Sequence, residues 1–240
     1  MDISAHALTH ADRPVTIKQM QDIDKAAINI GIPRLLLMDH AGLAVARSAA
    51  LICPNKDSLI VVCCGMGFNG GDGLSAARHL CALGYSTRVV LTGQAINLRE
   101  EPAIYAKILK NLHIPFKECS TIDSLSAIEP WLADCSLIID ALIGIGGSNP
   151  RVREPIASLI DRINHAGKPV VAVDIPSGLD ANTGAVLGST ITATVTVTFG
   201  QPKHGCLINQ GPKHSGSVIV DPITIPPILL RKIYQLENTT

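Results

Sequence analysis

Residues 59–73 read LIVVCCGMGFNGGDG. The first six are apolar without alternation, which describes a strand buried on both faces, and such strands belong to parallel sheets covered by helices on each side. The run breaks into Gly65, Gly67 and Gly70, a G-x-G-x-x-G spacing, and a helical stretch is expected over about residues 71–83. Strand, glycine turn and helix in that order form the first half of a β-α-β unit, whose backbone amides at the helix start can hold a phosphate.

The same alternation extends outward. Toward the N-terminus, Thr16 with Gln19 three residues on is a capping box, and Gly31 with Pro33 closes that helix. A second helix rich in Leu and Ala is expected over about residues 35–51. Toward the C-terminus, strands are expected at 86–91, near Phe116, at 137–139, 169–175, 192–199 and 218–220. Helices are expected at about 98–112, around Trp131 and at 152–165. Strands alternating with helices predict an α/β fold built on a mostly parallel sheet. The expected division is a loose arm over residues 1–14 and a single domain over 15–240.

Composition narrows the function classes. The chain of 240 residues has 20 Lys+Arg against 20 Asp+Glu, so it lacks the basic excess that phosphate-backbone binders need. Apolar residues make 47% and charged residues 17%, the reverse of a disordered composition. No stretch approaches the roughly 18 apolar residues of a membrane span. Neither nucleic acid nor a membrane is an expected partner. Seven cysteines, an odd number with an adjacent Cys63–Cys64 pair and no C-x-x-C, read as reduced, buried thiols of a cytoplasmic protein. The first fourteen residues have no apolar signal core.

In an open parallel sheet, ligands sit beyond the carboxyl ends of the strands. Three such ends are rich in Gly, Asp, Asn and Ser: 65–73, 140–149 (DALIGIGGSN) and 174–180 (DIPSGLD). The strand after the glycine turn ends Leu91–Thr92–Gly93, without the acid that binds ribose in ordinary dinucleotide dehydrogenases. Asp140 and Asp174 each follow an apolar run directly, so each must be hydrogen-bonded, paired or exposed in a cleft. With Asn69 and Ser177 they form an oxygen-rich set suited to a hard cation. The competing reading of Asp72 is a cap on its own helix, and of Asp140 and Asp174 a helix cap and a turn closure. Asp180 is expected to shape the turn before Asn182, and Lys203 either pairs with an acid or is solvated. The eight histidines show no metal spacing, His40 and His79 read as packing or surface residues, and Ser177 lacks a G-x-S-x-G elbow.

The segments LLLMDHAGLAVA, GMGFNGGDGLSAARHL, DALIGIG, AVDIPSGLDANTG and TVTFGQPKHG resemble, in order and spacing, the NAD(P)H-hydrate epimerase family, the YjeF N-terminal domain. The resemblance runs from about Thr16 to Asp221. It implies a three-layer αβα sandwich of Rossmann type, often dimeric, so a homodimer is expected. It also implies epimerisation of NADH or NADPH hydrated at C6 of the nicotinamide ring, a cofactor-repair step, by a free-standing module without the usual dehydratase partner domain.

By resemblance, Asn69, Asp140 and Ser177 hold a potassium ion. Phe68, Asn69, Gly70, Gly71, Asp72, Gly144, Ile145, Gly146, Gly147, Ser148, Asn149, Pro150 and Asp174 contact substrate, with Asp174 as the acid–base group. Two positions depart from the family pattern. Phe68 stands where an asparagine is usual, and Asp39–His40 stands where Glu-Asn is common. Phe68 favours the alternative, a non-catalytic nucleotide-binding or scaffold module of the same fold; the intact Asp140, Asp174 and Ser177 favour the enzyme.

Overall fold

A computed structural model describes residues 13–146 and 151–230. Residues 1–12 of the expected arm, and Gly147, Ser148, Asn149 and Pro150 of the expected substrate loop, lie outside the described residues. Among the described residues, seven strands form one sheet in the order β3-β2-β1-β4-β5-β6-β7, and every pairing is parallel. They are β1 Leu59–Cys64, β2 Ser86–Leu91, β3 Phe116–Glu118, β4 Leu137–Ala141, β5 Val170–Val173, β6 Val195–Phe199 and β7 Ser217–Asp221.

Helices α1 (Ile17–Asn29), α2 (Arg34–Ile52), α3 (Phe68–Ala82) and α4 (Glu100–Asn111) cover one face; α5 (Glu129–Asp134) and α6 (Ile156–His165) cover the other. The short helices α7 (His204–Leu207) and α8 (Gly211–Ser215) follow β6. Alternate residues of each central strand feed opposite cores. Val62 and Cys64 pack with α1–α4, while Val61 and Cys63 pack with α5 and α6.

α1 starts at its capping box, where Thr16 Oγ1 accepts from Gln19 N and Gln19 Oε1 accepts from Thr16 N. α2 is the one described helix long and apolar enough to cross a membrane by composition. Half of it is buried, with Leu37, Met38, Val45 and Ala49 among its core residues, and Gly42 lets it approach Ser75 of α3. All seven cysteines are free, and those at 63, 64, 119 and 135 are buried as expected; burial pushes the Cys63 and Cys64 thiols up.

Two boundaries differ from expectation in ways that matter for the site. α3 begins at Phe68, so Asn69 and Asp72 belong to the helix rather than to the turn. Asp72 therefore caps nothing; the N-cap is Gly67, and no side chain caps this end. α6 begins only at Ile156, after Pro155, whose missing N–H suits a helix start.

Candidate functional site

The order in which strands join the sheet reverses between β1 and β4, which run parallel: β2 and β3 lie on one side of β1, and β4 to β7 on the other. Helix α3, after β1, goes to one face, and α6, after β4, to the other, so the loops at these strand ends part and leave a crevice. Glycines let the two loops approach. A Cβ on Gly65 would stand 1.9 Å from Leu142 O, and one on Gly70 would stand 1.9 Å from Gly65 O. A Cβ on Gly67 would meet nothing within 4 Å, because this glycine faces the cleft.

The cleft has a volume of about 640 Å³, within the usual range of small-molecule sites. Met20, Ile28, Leu37, Met38 and Phe199 supply apolar wall; Asp24, Asp72 and Asp174 supply acid; Lys25, Arg34 and Lys203 supply positive charge. Of the expected substrate residues, Phe68, Asn69, Asp72, Gly144, Ile145, Gly146 and Asp174 line it, whereas Gly70 and Gly71 lie buried behind it in α3.

Asp174 leaves β5 with φ +66, a left-handed conformation that Asp tolerates better than most residues. Its amide donates to Val197 O at 2.8 Å, which fixes the turn against β6. Its Oδ1 accepts from Lys203 Nζ, from Thr198 Oγ1 at 3.2 Å and from Phe199 N at 3.2 Å. Lys203 is 1% exposed, so it is a buried ion-pair partner rather than a solvated lysine. No described residue donates to Oδ2 of Asp174, the oxygen left for a ligand.

The other two acids sit in a different balance. Burial pushes Asp24 up to about 6, with Lys203 and Arg34 opposing and Asp174 reinforcing the shift. Burial, with Asp174 and Asp24 adding to it, pushes Asp72 well above the usual carboxylate range.

Asp140 and Asp174 do not join one cluster. Asp140, paired in register with Cys63 and Ala172, lies on the α5–α6 side of the sheet and is fully buried. Ser177 Oγ donates to Asp140 Oδ1 at 2.6 Å, Ser177 N donates to Oδ2 at 2.8 Å, and Ser177 Oγ accepts from Ile143 N at 2.8 Å. Asn69 meets the next residue of that loop, since a Cβ on Gly144 would come within 2.9–3.0 Å of its side chain. The loop residues Ile143 and Gly144 thus join the three expected cation ligands, with the cleft on the near side.

These residues fit a hard cation. The donor set is oxygen-rich, and burial pushes Asp140 up to about 6. Among the described residues no Lys, Arg or His pairs with Asp140. A buried carboxylate without a counter-charge is costly, and a bound cation would relieve that cost. Histidine, cysteine and carboxylate groups of three or more with metal-holding geometry are absent among the described residues.

Phe68 is 48% exposed at the rim of the cleft, with the Arg34 guanidinium 4.7 Å from its ring centroid. Asp39 accepts from Arg78 at 2.6 Å and from Tyr105 at 2.9 Å, and His79 Nε2 meets Asp39 O at 3.1 Å, a polar tie among α2, α3 and α4. Asp180 Oδ1 accepts from the Asn182 and Thr183 amides, shaping the turn as expected. Sequence reasoning missed Asp24, Lys25 and Arg34. For Asp24 there was a signal: it interrupts the buried stripe Met20, Ile23, Ala27 of α1.

A doubly wound sheet with a charged, glycine-walled cleft at its switch point defines an α/β protein with a small-molecule crevice at the carboxyl ends of its strands. The chain belongs to the family described as YjeF-related protein N-terminus, whose model matches residues 34–205. It is 40% identical over 210 residues to an NAD(P)H-hydrate epimerase of Limosilactobacillus fermentum, covering 87% of this chain and 96% of that protein. It is also 40% identical over 215 residues to the bifunctional NAD(P)H-hydrate repair enzyme Nnr of Pyrobaculum aerophilum, covering 89% of this chain; the chain spans 42% of that relative's length. The crystal structure of yeast ynu0, YNL200c, superposes with a TM-score of 0.80 at 26% identity, covering 92% of this chain and 93% of that one.

Proposed function

We propose that this chain is an NAD(P)H-hydrate epimerase that interconverts the R and S forms of NADH or NADPH hydrated at C6 of the nicotinamide ring. The observation that carries the reading is Asp174, which lines the cleft with one oxygen tied to Lys203 and the other open to a ligand. The names of the relatives supply the substrate class.

The hydrated carbon is a hemiaminal, and the ring nitrogen's lone pair can expel its hydroxyl once that oxygen gains a proton. The planar iminium that results has no stereochemistry at C6, so water returns to either face. Asp174 is the acid–base group at the reacting hydroxyl, a role worth about 10²–10⁴ in rate. The apolar wall of Met20, Leu37, Met38 and Phe199 keeps bulk water from the cation-like intermediate. Gly67 gives the ligand close access to the backbone at the start of α3.

The reading includes a potassium ion held by Asn69, Asp140 and Ser177. When bound it supplies a fixed positive charge behind the loop Ile143–Gly144.

Phe68 supports the second reading, a non-catalytic binding module, because it stands where the family usually has a polar contact. One experiment separates the two. Hydrated NADH of one configuration is mixed with the protein in potassium buffer, and both forms are followed by chromatography. The epimerase reading expects acceleration over the spontaneous rate and its loss in Asp174→Ala. No acceleration supports the binding module, and an unchanged rate in Asp174→Ala removes the role given to Asp174.

A further inference from the structure

Lys203 has three N–H groups, and all three are committed: to Asp174 Oδ1, to Thr198 Oγ1 at 3.0 Å and to Phe199 O at 2.8 Å. None is left to protonate a ligand. Asp174, in turn, is the carboxylate counter-ion of a buried ammonium, so it enters the cycle as the group that can take a proton and not as the one that gives it. This pair suits the step that removes a proton from water better than the step that donates one to a departing hydroxyl.

The same cleft holds another carboxyl group with the opposite surroundings. Asp24 projects from α1 among Met20, Ile23 and Ala27, and lines the cleft with Asp174. No described residue hydrogen-bonds its carboxyl, which leaves it available to a ligand. The charged groups facing it are Lys203 from the loop after β6, Asp174 from the end of β5, Arg34 from α2 and Asp72 from α3. Lys25 is its neighbour on α1 and lines the same cleft.

We propose that Asp24 is a second catalytic residue, the proton donor to the departing C6 hydroxyl, while Asp174 takes the proton of the incoming water. The proposal rests on the epimerase reading and divides its chemistry between two carboxyl groups. The C6–O bond breaks, its electron pair leaves with oxygen, and the Asp24 proton makes that oxygen water. The ring nitrogen's lone pair forms the C=N bond. Water then adds its lone pair to C6, the C=N pair returns to nitrogen, and the proton shed goes to Asp174. A cleft water carries a proton from Asp174 back to Asp24, which balances the cycle.

Two carboxyl groups in one site, one held in an ion pair and one half-buried without a hydrogen-bond partner, are the usual way that a protein assigns separate acid and base roles. Burial pushes Asp24 up to about 6, close to working pH, where a donor both gives and regains its proton efficiently. Asp72 is pushed well above the usual range and is less suited to that exchange.

The test uses the full chain in potassium buffer with hydrated NADH, the spontaneous rate being subtracted at each pH. Wild-type kcat is expected to fall as pH rises above about 6, because Asp24 loses its proton. Asp24→Asn is expected to lower kcat about 100-fold with KM within about threefold, and to remove that limb of the pH profile. Asp24→Glu, which keeps an acid in a different place, is expected to recover part of the rate and to show the limb at a shifted pH. A merely structural role would not remove the limb while leaving KM in place.

Wild-type-like kcat and an unchanged limb in Asp24→Asn overturn this proposal alone, provided that Asp174→Ala is inactive. A wild-type protein without activity overturns the epimerase reading and this proposal together. Should Asp24→Asn fail to fold by circular dichroism, Asp24→Glu decides: a limb unmoved from wild type, or no limb near 6 in either protein, overturns the assignment.

Discussion

Lys203 and Asp174 form a buried ion pair that joins the end of β5 to the loop after β6, and the lysine also binds Thr198 Oγ1 and Phe199 O. The pair holds Asp174 in a left-handed turn that few side chains adopt without strain. It also ties the N-terminal segment to the site, because Val15 bridges to Lys203 and donates to Pro202 O at 2.8 Å. Removing the lysine therefore leaves a carboxylate without its cation in a place it cannot leave.

Lys203→Met keeps the length and apolar stem and deletes the charge. The expected loss of stability is about 3–5 kcal/mol, the usual cost of breaking a buried pair from one side. Epimerisation should fall at the same time, since Asp174 loses the partner that orients it. Urea unfolding at pH 7 measures the first and the chromatographic assay the second. A stability loss below about 1 kcal/mol would show that the pair contributes little to the fold.

Asp24 makes the opposite prediction. Its folded pKa, about 6, lies above the ordinary 3.8, because burial penalises the charged form. Such a group contributes stability that is fully present below the unfolded value and is lost as pH rises through the folded one. Asp24→Asn should match wild type in stability near pH 3.5 and exceed it above pH 6.5. The gain is at most about 3 kcal/mol, from the shift of about two pH units. Denaturant midpoints across that range check this, and a variant less stable than wild type at pH 8 would contradict it. A site residue whose removal stabilises the fold is a familiar cost of function.

Most of the sheet was legible because the central strands β1, β4 and β5 are short apolar runs that end at or beside Gly or Asp, and both cores draw on the same period of two. The glycine turn was legible because Gly65 and Gly70 sit where backbone approaches backbone. What was not legible was the partition of the acids. The sequence places Asp140 and Asp174 alike, each directly after a strand. Strand parity puts Asp140 beneath the loop with Ser177, while the left-handed turn at Asp174 sends that side chain to Lys203. That pairing spans 29 residues, and no local pattern marks it. Asp24 left a fainter mark: it interrupts the buried stripe of α1, but an amphipathic helix normally carries its acids to solvent, and the packing of α1 over the cleft is what turns this one inward.

Potassium binding makes a prediction that does not depend on catalysis. The melting temperature of the wild-type protein should be higher in potassium chloride than in tetramethylammonium chloride at the same ionic strength. A ligand present at about 100 times its Kd stabilises by about 2.7 kcal/mol, worth several degrees in a chain of this size. Asp140→Asn removes the buried charge that the cation would balance, so the two salts should then give the same melting temperature. Equal values for the wild-type protein would remove the potassium site from the reading.

The glycines of the first loop separate fold from function within three residues. Gly65→Ala would drive a Cβ to 1.9 Å from Leu142 O, and backbone on both sides leaves nothing flexible to move. It should cost about 1–3 kcal/mol or more, because strands β1 and β4 must part to accept it. Gly67→Ala meets nothing within 4 Å, and its φ of −95 is ordinary for alanine, so the fold should be unaffected. Its new methyl instead points into the cleft, where the substrate must approach the start of α3. The expected result is wild-type stability with KM raised about tenfold and kcat little changed, the signature of lost ground-state and transition-state binding alike. If Gly67→Ala leaves KM unchanged, the substrate does not lie against this backbone, and the glycine at 67 serves the turn alone.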